Sequence, residues 1–317
     1  MAFELPSVTR LYQNHHLDST RWRIYRARPG DIIVSTSYKS GTTWMQWILV
    51  HLVFQGQDAP DPLDVSPWIG MRIRSLEDIE AKLEAQTHRR VIKSHLALDG
   101  LPYYPEVNYV IVVRDARDVF MSLYNHYHNY TEDFLARLNA FASDTPFPVC
   151  PDDIRAFWRQ WMGRGWFEWE VEGYPFWGNL HHTKTYWDFR RLPNIYFVHY
   201  SDLLRDLEGE IRRLATFLEI PVTDEGVASV ARSVGFGAMK ADAIKKDADR
   251  RKELGLAPGE DFPDGFRGGE TSFIHKGTNG RWREVLTEDD LALYHETVQR
   301  VLTPECARYV ERGRLGG

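Results

Sequence analysis

The residues of this chain best suited to chemistry are a lysine, a glycine and three hydroxyl residues in one short run, KSGTT. The run follows an apolar segment that predicts a buried strand and precedes one that predicts a helix. At such a turn, the unpaired N–H groups of the helix start converge where the helix dipole also favours negative charge. Lys39 adds a full positive charge. Hydroxyl donors are added by Ser40, Thr42 and Thr43. The pattern therefore predicts a site for phosphate or an isoelectronic anion.

This loop differs from the common nucleotide-binding loops. A Walker A motif has a glycine, four residues and then Gly-Lys-Ser/Thr. Here Lys39 precedes Gly41, and no glycine lies about five residues upstream. G-x-G-x-x-G is also missing. Taken alone, the run is equally compatible with a capped helix start whose lysine is solvated.

Three further segments carry polar or charged side chains beside predicted elements. The segment VIKSHL puts Lys93 and His95 at the exit of one strand, where we expect His95 to be exposed. The segment VVRDARDVFMSLYNH puts Arg114 at the end of another strand and Ser122 in the helix after it. HKGTNGRWREVLT, which starts at His275, is basic and rich in glycine. In this order and spacing, the four segments resemble the cytosolic sulfotransferase family, which transfers a sulfuryl group from 3′-phosphoadenosine 5′-phosphosulfate (PAPS).

The resemblance extends over about residues 32–287 and implies both the fold and the donor site. It implies an α/β fold with a central parallel sheet and helices on both faces, P-loop-like, in a single sulfotransferase domain over residues 1–317. Arg114 and Ser122 match the family residues that grip the 3′-phosphate, and the KSGTTW loop matches the 5′-phosphosulfate loop. The positions that match donor-binding residues of the family are Lys39, Ser40, Gly41, Thr42, Thr43, Trp44, Arg114, Ser122, Tyr200, Phe236, His275, Lys276 and Gly277.

The chain departs from the family pattern at several of these positions. Ser-Tyr precedes the lysine of the first loop where the family has Tyr-Pro, and Val-Gly precedes Phe236 where it has Thr-Ser. His275 stands where the family usually has arginine. Since imidazole is mostly neutral at pH 7, this replacement weakens one phosphate contact or makes it depend on pH. The family's short dimer signature is matched only at Arg283 and Thr287, so a monomer and a homodimer both stay open.

Three side chains are predicted to carry the chemistry. Sulfuryl transfer needs in-line geometry and charge stabilisation more than covalent help. His95 is the candidate general base, because its pKa can lie near the working pH. Lys39 can neutralise the bridging oxygen as the nucleotide leaves, and Lys93 can contact the oxygens of the transferring group. With these two charges no metal is needed, and none is expected.

Strands and helices alternate along the chain, as in doubly wound α/β proteins. The strand candidates are continuous apolar runs, which indicates a parallel sheet covered on both faces. Two loops are rich in proline or glycine, and the second is either a cap over a site or a surface excursion. The predicted strands are Asp31–Thr36, Arg90–Ser94, Tyr109–Val113 and Ile195–His199, the helices Thr42–Phe54, Ala116–Tyr130 and Asp206–Leu218, and the loops Ser143–Asp153 and Arg251–Glu270.

Composition excludes some classes of protein. The formal net charge of −6 argues against a nucleic-acid partner. Cys150 and Cys306 match no metal or redox spacing and predict free thiols. The N-terminus lacks a signal-peptide pattern, and the longest apolar run, Trp44 to Phe54, is too short to cross a bilayer. We therefore expect a cytoplasmic protein without a stable membrane anchor.

The acceptor is predicted only as a class. The resemblance implies a hydroxyl or amine of a small-molecule or lipid-like acceptor, glycolipids included. It places the acceptor site among residues 59–73, 124–130 and 241–269. Two alternatives from other classes remain: a P-loop nucleotide kinase or NTPase, and a non-catalytic nucleotide-binding module. The missing Gly-Lys-Ser/Thr speaks against the first, and the retention of both Lys39 and His95 speaks against the second.

Overall fold

Four parallel strands form one sheet in the part of the chain that the computed structural model describes, residues 4–55, 59–141, 145–274, 276–314 and 316. Their order across the sheet is β2-β1-β3-β4. From β1 the chain crosses to one side and then returns to the other, so the order reverses between β1 and β3. Ligands of such sheets bind outside the carboxyl ends of the strands at this reversal. The strands are β1 (Ile32–Thr36), β2 (Val91–Ser94), β3 (Asn108–Val113) and β4 (Ile195–His199).

All four predicted strands are present, with ends that differ by at most one residue. β1 and β2 each begin one residue later than predicted, and the residues directly before them, Asp31 and Arg90, form a buried ion pair. Arg90 and Asp31 are 1% and 2% exposed, and their Nη2 and Oδ2 atoms are 2.5 Å apart. β3 begins one residue earlier, at Asn108.

Helices cover both faces of the sheet, which confirms the predicted fold class. α1 ends one residue and α4 two residues before the predicted ends, and α9 is one residue shorter at each end. Within the described residues, no helix has both the length and the apolar composition that crossing a bilayer requires. The helices are α1 (Thr42–Val53), α2 (Pro62–Val65), α3 (Leu76–Ala85), α4 (Ala116–His128), α5 (Glu132–Asn139), α6 (Ile154–Gly163), α7 (Asn179–Trp187), α8 (Tyr200–Arg205), α9 (Leu207–Phe217), α10 (Asp224–Val234), α11 (Phe236–Leu254), α12 (Gly269–Phe273), α13 (Glu288–Val301) and α14 (Pro304–Arg312), with 3-10 turns at Ser19–Ile24, Leu98–Gly100 and Arg281–Glu284.

Two hydrophobic cores lie on the two faces of the sheet. Alternate residues of a strand point to opposite faces, so Ile32 and Val34 pack with α1, α9 and α10, whereas Ile33 packs with α4, α6, α7 and α13. All three side chains have no exposed surface. This double burial explains why the strands are continuous apolar runs rather than alternating ones.

The prediction of a loop over Arg251–Glu270 is wrong at both ends. α11 continues to Leu254, and Gly255, with a φ of 67°, caps it by donating its N–H to the carbonyl of Arg251. The charged end of α11 consists of good helix formers, and glycine is the usual residue after a helix C-terminus. α12 then begins at Gly269. The other predicted loop is without helix or strand over residues 145–153, while residues 143 and 144 lie outside the described residues.

Candidate active site

The loop between β1 and α1 bends at two residues with left-handed backbone. Lys39 has a φ of 62° and Gly41 a φ of 113°. A Cβ atom at Gly41 would lie 2.8 Å from Cδ2 of Tyr200, so only glycine fits here without a shift. α1 begins directly afterwards, at Thr42. Its unpaired N–H groups therefore lie at this loop, as an anion site requires.

The three hydroxyls of the loop differ in their contacts. Oγ1 of Thr42 is 2.5 Å from Oγ1 of Thr36. Oγ of Ser40 is 2.6 Å from Oγ of Ser37, and Ser40 is buried outside the cavity that the loop borders. Thr43 lines that cavity. The Ser40 hydroxyl thus shapes the loop and does not face the cavity.

Two lysines enter the same cavity, Lys39 from the loop after β1 and Lys93 from β2. Nζ of Lys39 lies 3.6 Å from the ring centroid of Phe273, and Nζ of Lys93 lies 4.8 Å from that of Trp68. Burial, with the charges of Lys93 and Arg114, lowers the pKa of Lys39 to about 7. Burial likewise lowers the pKa of Lys93 to about 8. Both amines rest against aromatic faces, so an anion entering the cavity would gain strongly from them.

His95 follows β2 and is buried rather than exposed, which corrects the prediction from sequence. It is 2% exposed, because the rings of Trp68 and Tyr38 lie over it at centroid distances of 4.7 and 5.2 Å. Its Nδ1–H donates to the carbonyl of Thr36 at 2.8 Å, and its buried Nε2 has no hydrogen-bond partner in the part of the chain that the structure describes. Burial and the charge of Lys93 lower its pKa well below the ordinary value. The imidazole is therefore neutral, with its lone pair on Nε2.

Arg114 follows β3 and contacts the β1–α1 loop through Nη1, which donates to the carbonyl of Lys39 at 3.4 Å. Its guanidinium stacks on Tyr200, 4.1 Å from Cζ to the ring centroid. Its Nη2 and Nε both donate to Oδ1 of Asn279, at 2.8 and 3.1 Å. Burial lowers its pKa from the ordinary value. Ser122, two turns along α4, lines the same cavity as Arg114.

Aromatic side chains border this end of the cavity. The rings of Trp44 and Tyr200 meet edge to face, 5.4 Å apart, and Nε1 of Trp44 donates to the carbonyl of Val234. Phe236, at the start of α11, is 37% exposed. Gly277 has a φ of 63°, and a Cβ there would lie 2.6 Å from the Phe236 ring. The absence of a side chain at Gly277 thus lets the main chain there pass close to the Phe236 ring.

One cavity of about 650 Å³ joins nearly all of the predicted site residues. Ser40 is the exception among those described, and His275 lies outside the described residues. All three segments predicted to shape the acceptor site contribute to the walls. The predicted site residues that line the cavity are Lys39, Gly41, Thr42, Thr43, Trp44, Lys93, His95, Arg114, Ser122, Tyr200, Phe236, Lys276 and Gly277, and the acceptor segments add Leu63, Trp68, Met71, Ile73, His126, Asp242, Lys246 and Phe266, among others.

Reasoning from sequence missed two polar residues of this site. His126 is 3% exposed, and its Nε2 is hydrogen-bonded to the hydroxyl of Tyr38 at 3.0 Å. It lies four residues after Ser122, so the helical spacing could have placed it on the same face. Asn279 was missed because its GTNG context predicts only a turn, and no sequence signal says that its amide meets Arg114.

Known proteins resemble this chain in sequence and in fold. A family model described as a sulfotransferase domain matches residues 29–304. A glycolipid sulfotransferase of Mycobacterium bovis is 32% identical over 100% of this chain and 98% of its own length. Rat sulfotransferase 1A1 is 26% identical, over 83% of this chain and 81% of its own.

Two solved structures share the fold. Mouse sulfotransferase SULT7A1 complexed with PAP superposes with a TM-score of 0.65 at 18% identity, over 92% of each chain. Retinol dehydratase in complex with androsterone and inactive cofactor PAP gives 0.61 at 22% identity, over 91% of this chain and 87% of that one. With the family match over most of the sequence, these findings show that the chain belongs to the sulfotransferase family.

Proposed function

We propose that the protein transfers a sulfuryl group from PAPS to a hydroxyl or amine of a small-molecule or glycolipid acceptor, with His95 as general base. The observation that carries this proposal is the buried Nε2 of His95, which has no hydrogen-bond partner among the residues that the structure describes; His95 lines the same cavity as Lys39 and Lys93. A base and two cations around one space are what a transfer between two oxygen atoms needs.

The residues present fit the donor. The loop from Lys39 and the start of α1 would hold the 5′-phosphosulfate, since backbone N–H groups and an ammonium group meet there. Arg114 and Ser122 would hold the 3′-phosphate. Trp44 and Tyr200 would border the adenine, with Phe236 beside them. Gly41 and Gly277 support this fit, because each lets the main chain pass close to an aromatic ring that would border the adenine. A Cβ at Gly41 would collide with Tyr200, and a Cβ at Gly277 with Phe236.

The transfer follows from where these groups lie. His95 Nε2 takes the proton of the acceptor hydroxyl as its oxygen bonds to sulfur. The bond between sulfur and the bridging phosphate oxygen breaks, and Lys39 neutralises the charge that develops on that oxygen. Lys93 stabilises the oxygens of the sulfuryl group in transit. The products are the sulfated acceptor, adenosine 3′,5′-bisphosphate and a proton on His95.

Donor binding should raise the basicity of His95. Burial lowers its pKa first, and the positive charges of Lys93 and Lys39 lower it further, against one hydrogen bond to Thr36 that raises it. A bound anion offsets the positive charges, so the imidazolium form becomes more favourable only when the donor is in place. The pKa of His95 is therefore closer to the working pH when the donor is bound, which is when the base is needed.

A glycolipid is the acceptor that we favour. The relative named as a glycolipid sulfotransferase aligns over the whole chain. The acceptor part of the cavity has apolar walls at Met71, Ile73 and Phe266, and charged groups at Asp242 and Lys246. Apolar walls suit a lipid chain, whereas charged groups suit the hydroxyls of a sugar.

The first experiment replaces the base. His95→Ala should lower turnover by about 10²- to 10⁴-fold, the usual worth of a positioned base, while binding of adenosine 3′,5′-bisphosphate survives. Mass spectrometry of sulfated product measures turnover with PAPS and a panel of one glycolipid, one phenol and one sterol. His128→Ala is the matched control, since His128 is exposed on α4. Wild-type turnover in His95→Ala would exclude His95 as the base.

The same assay separates the alternatives. A P-loop kinase or NTPase would use ATP and lose activity with a metal chelator, whereas sulfate transfer as proposed is insensitive to chelation. A non-catalytic module would bind adenosine 3′,5′-bisphosphate and yield no sulfated product from any acceptor. The single domain over residues 1–317, the cytoplasmic location and the monomeric or homodimeric state stay predictions of the sequence.

A further inference from the structure

Arg281 is a basic residue of the cavity that the proposed mechanism leaves unused. It begins the 3-10 turn Arg281–Glu284, directly after Gly280. Its Nε is buried and has no hydrogen-bond partner among the described residues. It lines the same cavity as Arg114, Ser122 and Lys276. A buried guanidinium nitrogen without a partner loses its hydration with nothing in return, so a ligand that accepts from it would be favoured.

The position of Arg281 beside Arg114 points to an anion. Burial lowers the pKa of Arg114, Tyr200 and Asp118 raise it, and the positive charge of Arg281 lowers it, so the two guanidinium groups lie near enough to repel each other. Two separate observations therefore coincide at one wall of the cavity. Two guanidinium groups of the same charge lie near each other, and the Nε donor of Arg281 lacks an acceptor among the described residues. A phosphate monoester satisfies both, because its oxygens accept from guanidinium forks and its charge offsets the repulsion.

Arg114 has too few free N–H donors to hold a phosphate group by itself. Its Nε and Nη2 already donate to Asn279, and Nη2 also donates to the carbonyl of Thr278 at 3.1 Å. Nη1 has only a long bond of 3.4 Å to the carbonyl of Lys39. In the sequence, position 275 is a histidine where the resembled family has an arginine. The phosphate-binding wall is therefore short of free guanidinium donors unless Arg281 supplies them.

We propose that Arg281 binds the 3′-phosphate of the nucleotide together with Arg114, in place of the arginine that position 275 lacks. This inference rests on the proposed function, because it assumes an adenosine 3′-phosphate at this wall. Lys39 and Lys93 lie at the sulfuryl end, so Arg281 acts on nucleotide affinity rather than on the transfer itself.

Calorimetry with two nucleotides tests the assignment. Adenosine 3′,5′-bisphosphate carries the 3′-phosphate, and adenosine 5′-monophosphate does not. Arg281→Gln should weaken binding of the bisphosphate by about 10- to 100-fold, the usual worth of a charge-assisted hydrogen bond, and leave the monophosphate within about twofold. Arg281→Lys, which keeps the charge, should recover part of the loss.

Arg283→Gln is the matched control. Arg283 is two residues further on, exposed, and lies over the Trp282 ring at 4.5 Å, so its loss should change neither affinity. Wild-type affinity of Arg281→Gln for the bisphosphate would overturn the inference and leave the proposed function intact. An equal loss for both nucleotides would also overturn it, since it would indicate a structural role. A wild-type protein that ignores the bisphosphate would refute both proposals.

Discussion

At the scale of single residues, the site brings two lysines and a neutral imidazole into one cavity beside aromatic rings. Lys39 and Lys93 lie against aromatic rings, and the buried Nε2 of His95 lacks a partner within the described residues. Each of these states costs free energy in the empty protein, because buried polar groups are normally paired. An anionic donor and a hydroxylated acceptor would supply the missing partners. The free energy recovered in this way would add to the binding affinity for both substrates.

The lowered pKa values of the two lysines predict a pH dependence of nucleotide binding. Below about pH 7 both amines are charged, and as the pH rises through about 7 for Lys39 and about 8 for Lys93 each loses its proton. Affinity for adenosine 3′,5′-bisphosphate should therefore be highest near pH 6.5 and fall between pH 7 and 9, by about tenfold per pH unit for each proton that must be taken up.

Calorimetry in buffers of different ionisation enthalpy measures that proton uptake directly. Lys39→Met should bind more weakly at pH 7 and lose the first part of the pH dependence. Lys82→Met, at an exposed lysine of α3 near the cavity mouth, is the control and should keep the wild-type profile. An affinity that stays constant from pH 6.5 to 9 would contradict the prediction.

The sequence predicted which residues gather here better than it predicted their surroundings. Lys39 and Arg114 each follow a recognisable apolar strand, Lys93 lies near the end of another, and parallel strands bring their carboxyl ends to one edge. The burial of His95 was mispredicted, because it depends on Trp68 and Tyr38, which reach it from separate loops. A residue's place in an element is a local property, whereas its exposure is set by contacts distant in sequence.

At the scale of elements, the junction of β1 and α1 depends on one glycine. Gly41 combines a φ of 113° with a close approach to Tyr200. Gly41→Ala should force either the loop or the Tyr200 ring to move, at a cost of about 1–3 kcal/mol in the free energy of unfolding. Since Tyr200 also stacks on Arg114, nucleotide affinity should fall as well.

Urea denaturation and nucleotide calorimetry measure the two effects. Gly237→Ala is the control, because a Cβ there meets nothing within 4 Å and Gly237 lies within α11. That substitution should leave affinity unchanged and stabilise the protein by a few tenths to about 1 kcal/mol. Equal behaviour of the two variants would show that the loop tolerates a side chain at Gly41.

Element boundaries were predictable where burial makes the pattern strong. The strands are covered on both faces and appear as unbroken apolar runs, so their ends differ by at most one residue from those predicted. α11 was not among the predicted helices, and its last turn was assigned to a loop because Arg251–Leu254 is mostly charged and precedes a stretch rich in glycine and proline. Helix propensity there competes with turn signals, and sequence alone does not show which one prevails.

At the scale of the whole molecule, the cavity is built from segments that lie far apart in the chain. Its walls combine the β1–α1 loop, α4, α11 and the segment from Phe266 to Arg281. Phe266 pairs with Tyr130 through an isolated bridge, and Phe273 rests on Lys39. The segment after α11 thus returns to the site. The resemblance placed residues 241–269, Lys276 and Gly277 at the site, but no local pattern predicted which of their side chains form the walls, which is why the acceptor could be named only as a class.

The sheet that supports these walls is anchored at its other end by the ion pair of Arg90 and Asp31. Asp31 also accepts from the hydroxyl of Tyr25 at 2.7 Å and from the N–H of Arg28 at 3.0 Å, while Nη2 of Arg90 donates to the carbonyl of Arg26. The pair therefore joins the starts of β1 and β2 to the N-terminal segment. Arg90→Met would leave a buried carboxylate without its partner, which typically costs about 3–5 kcal/mol.

The substitution should lower the free energy of unfolding and leave turnover unchanged, because the ion pair lies at the opposite ends of β1 and β2 from Lys39 and His95. We expect Arg90→Met to lower the urea midpoint by that free energy while turnover per folded molecule stays near wild type at low temperature. The double variant Asp31→Leu with Arg90→Met removes both charges and should recover much of the loss, since an apolar pair needs no compensating charge. A double variant as unstable as Arg90→Met would instead assign the stabilisation to the hydrogen bonds that Asp31 accepts from Tyr25 and Arg28. A loss of turnover in the folded single variant would mean that the two ends of the sheet are mechanically coupled.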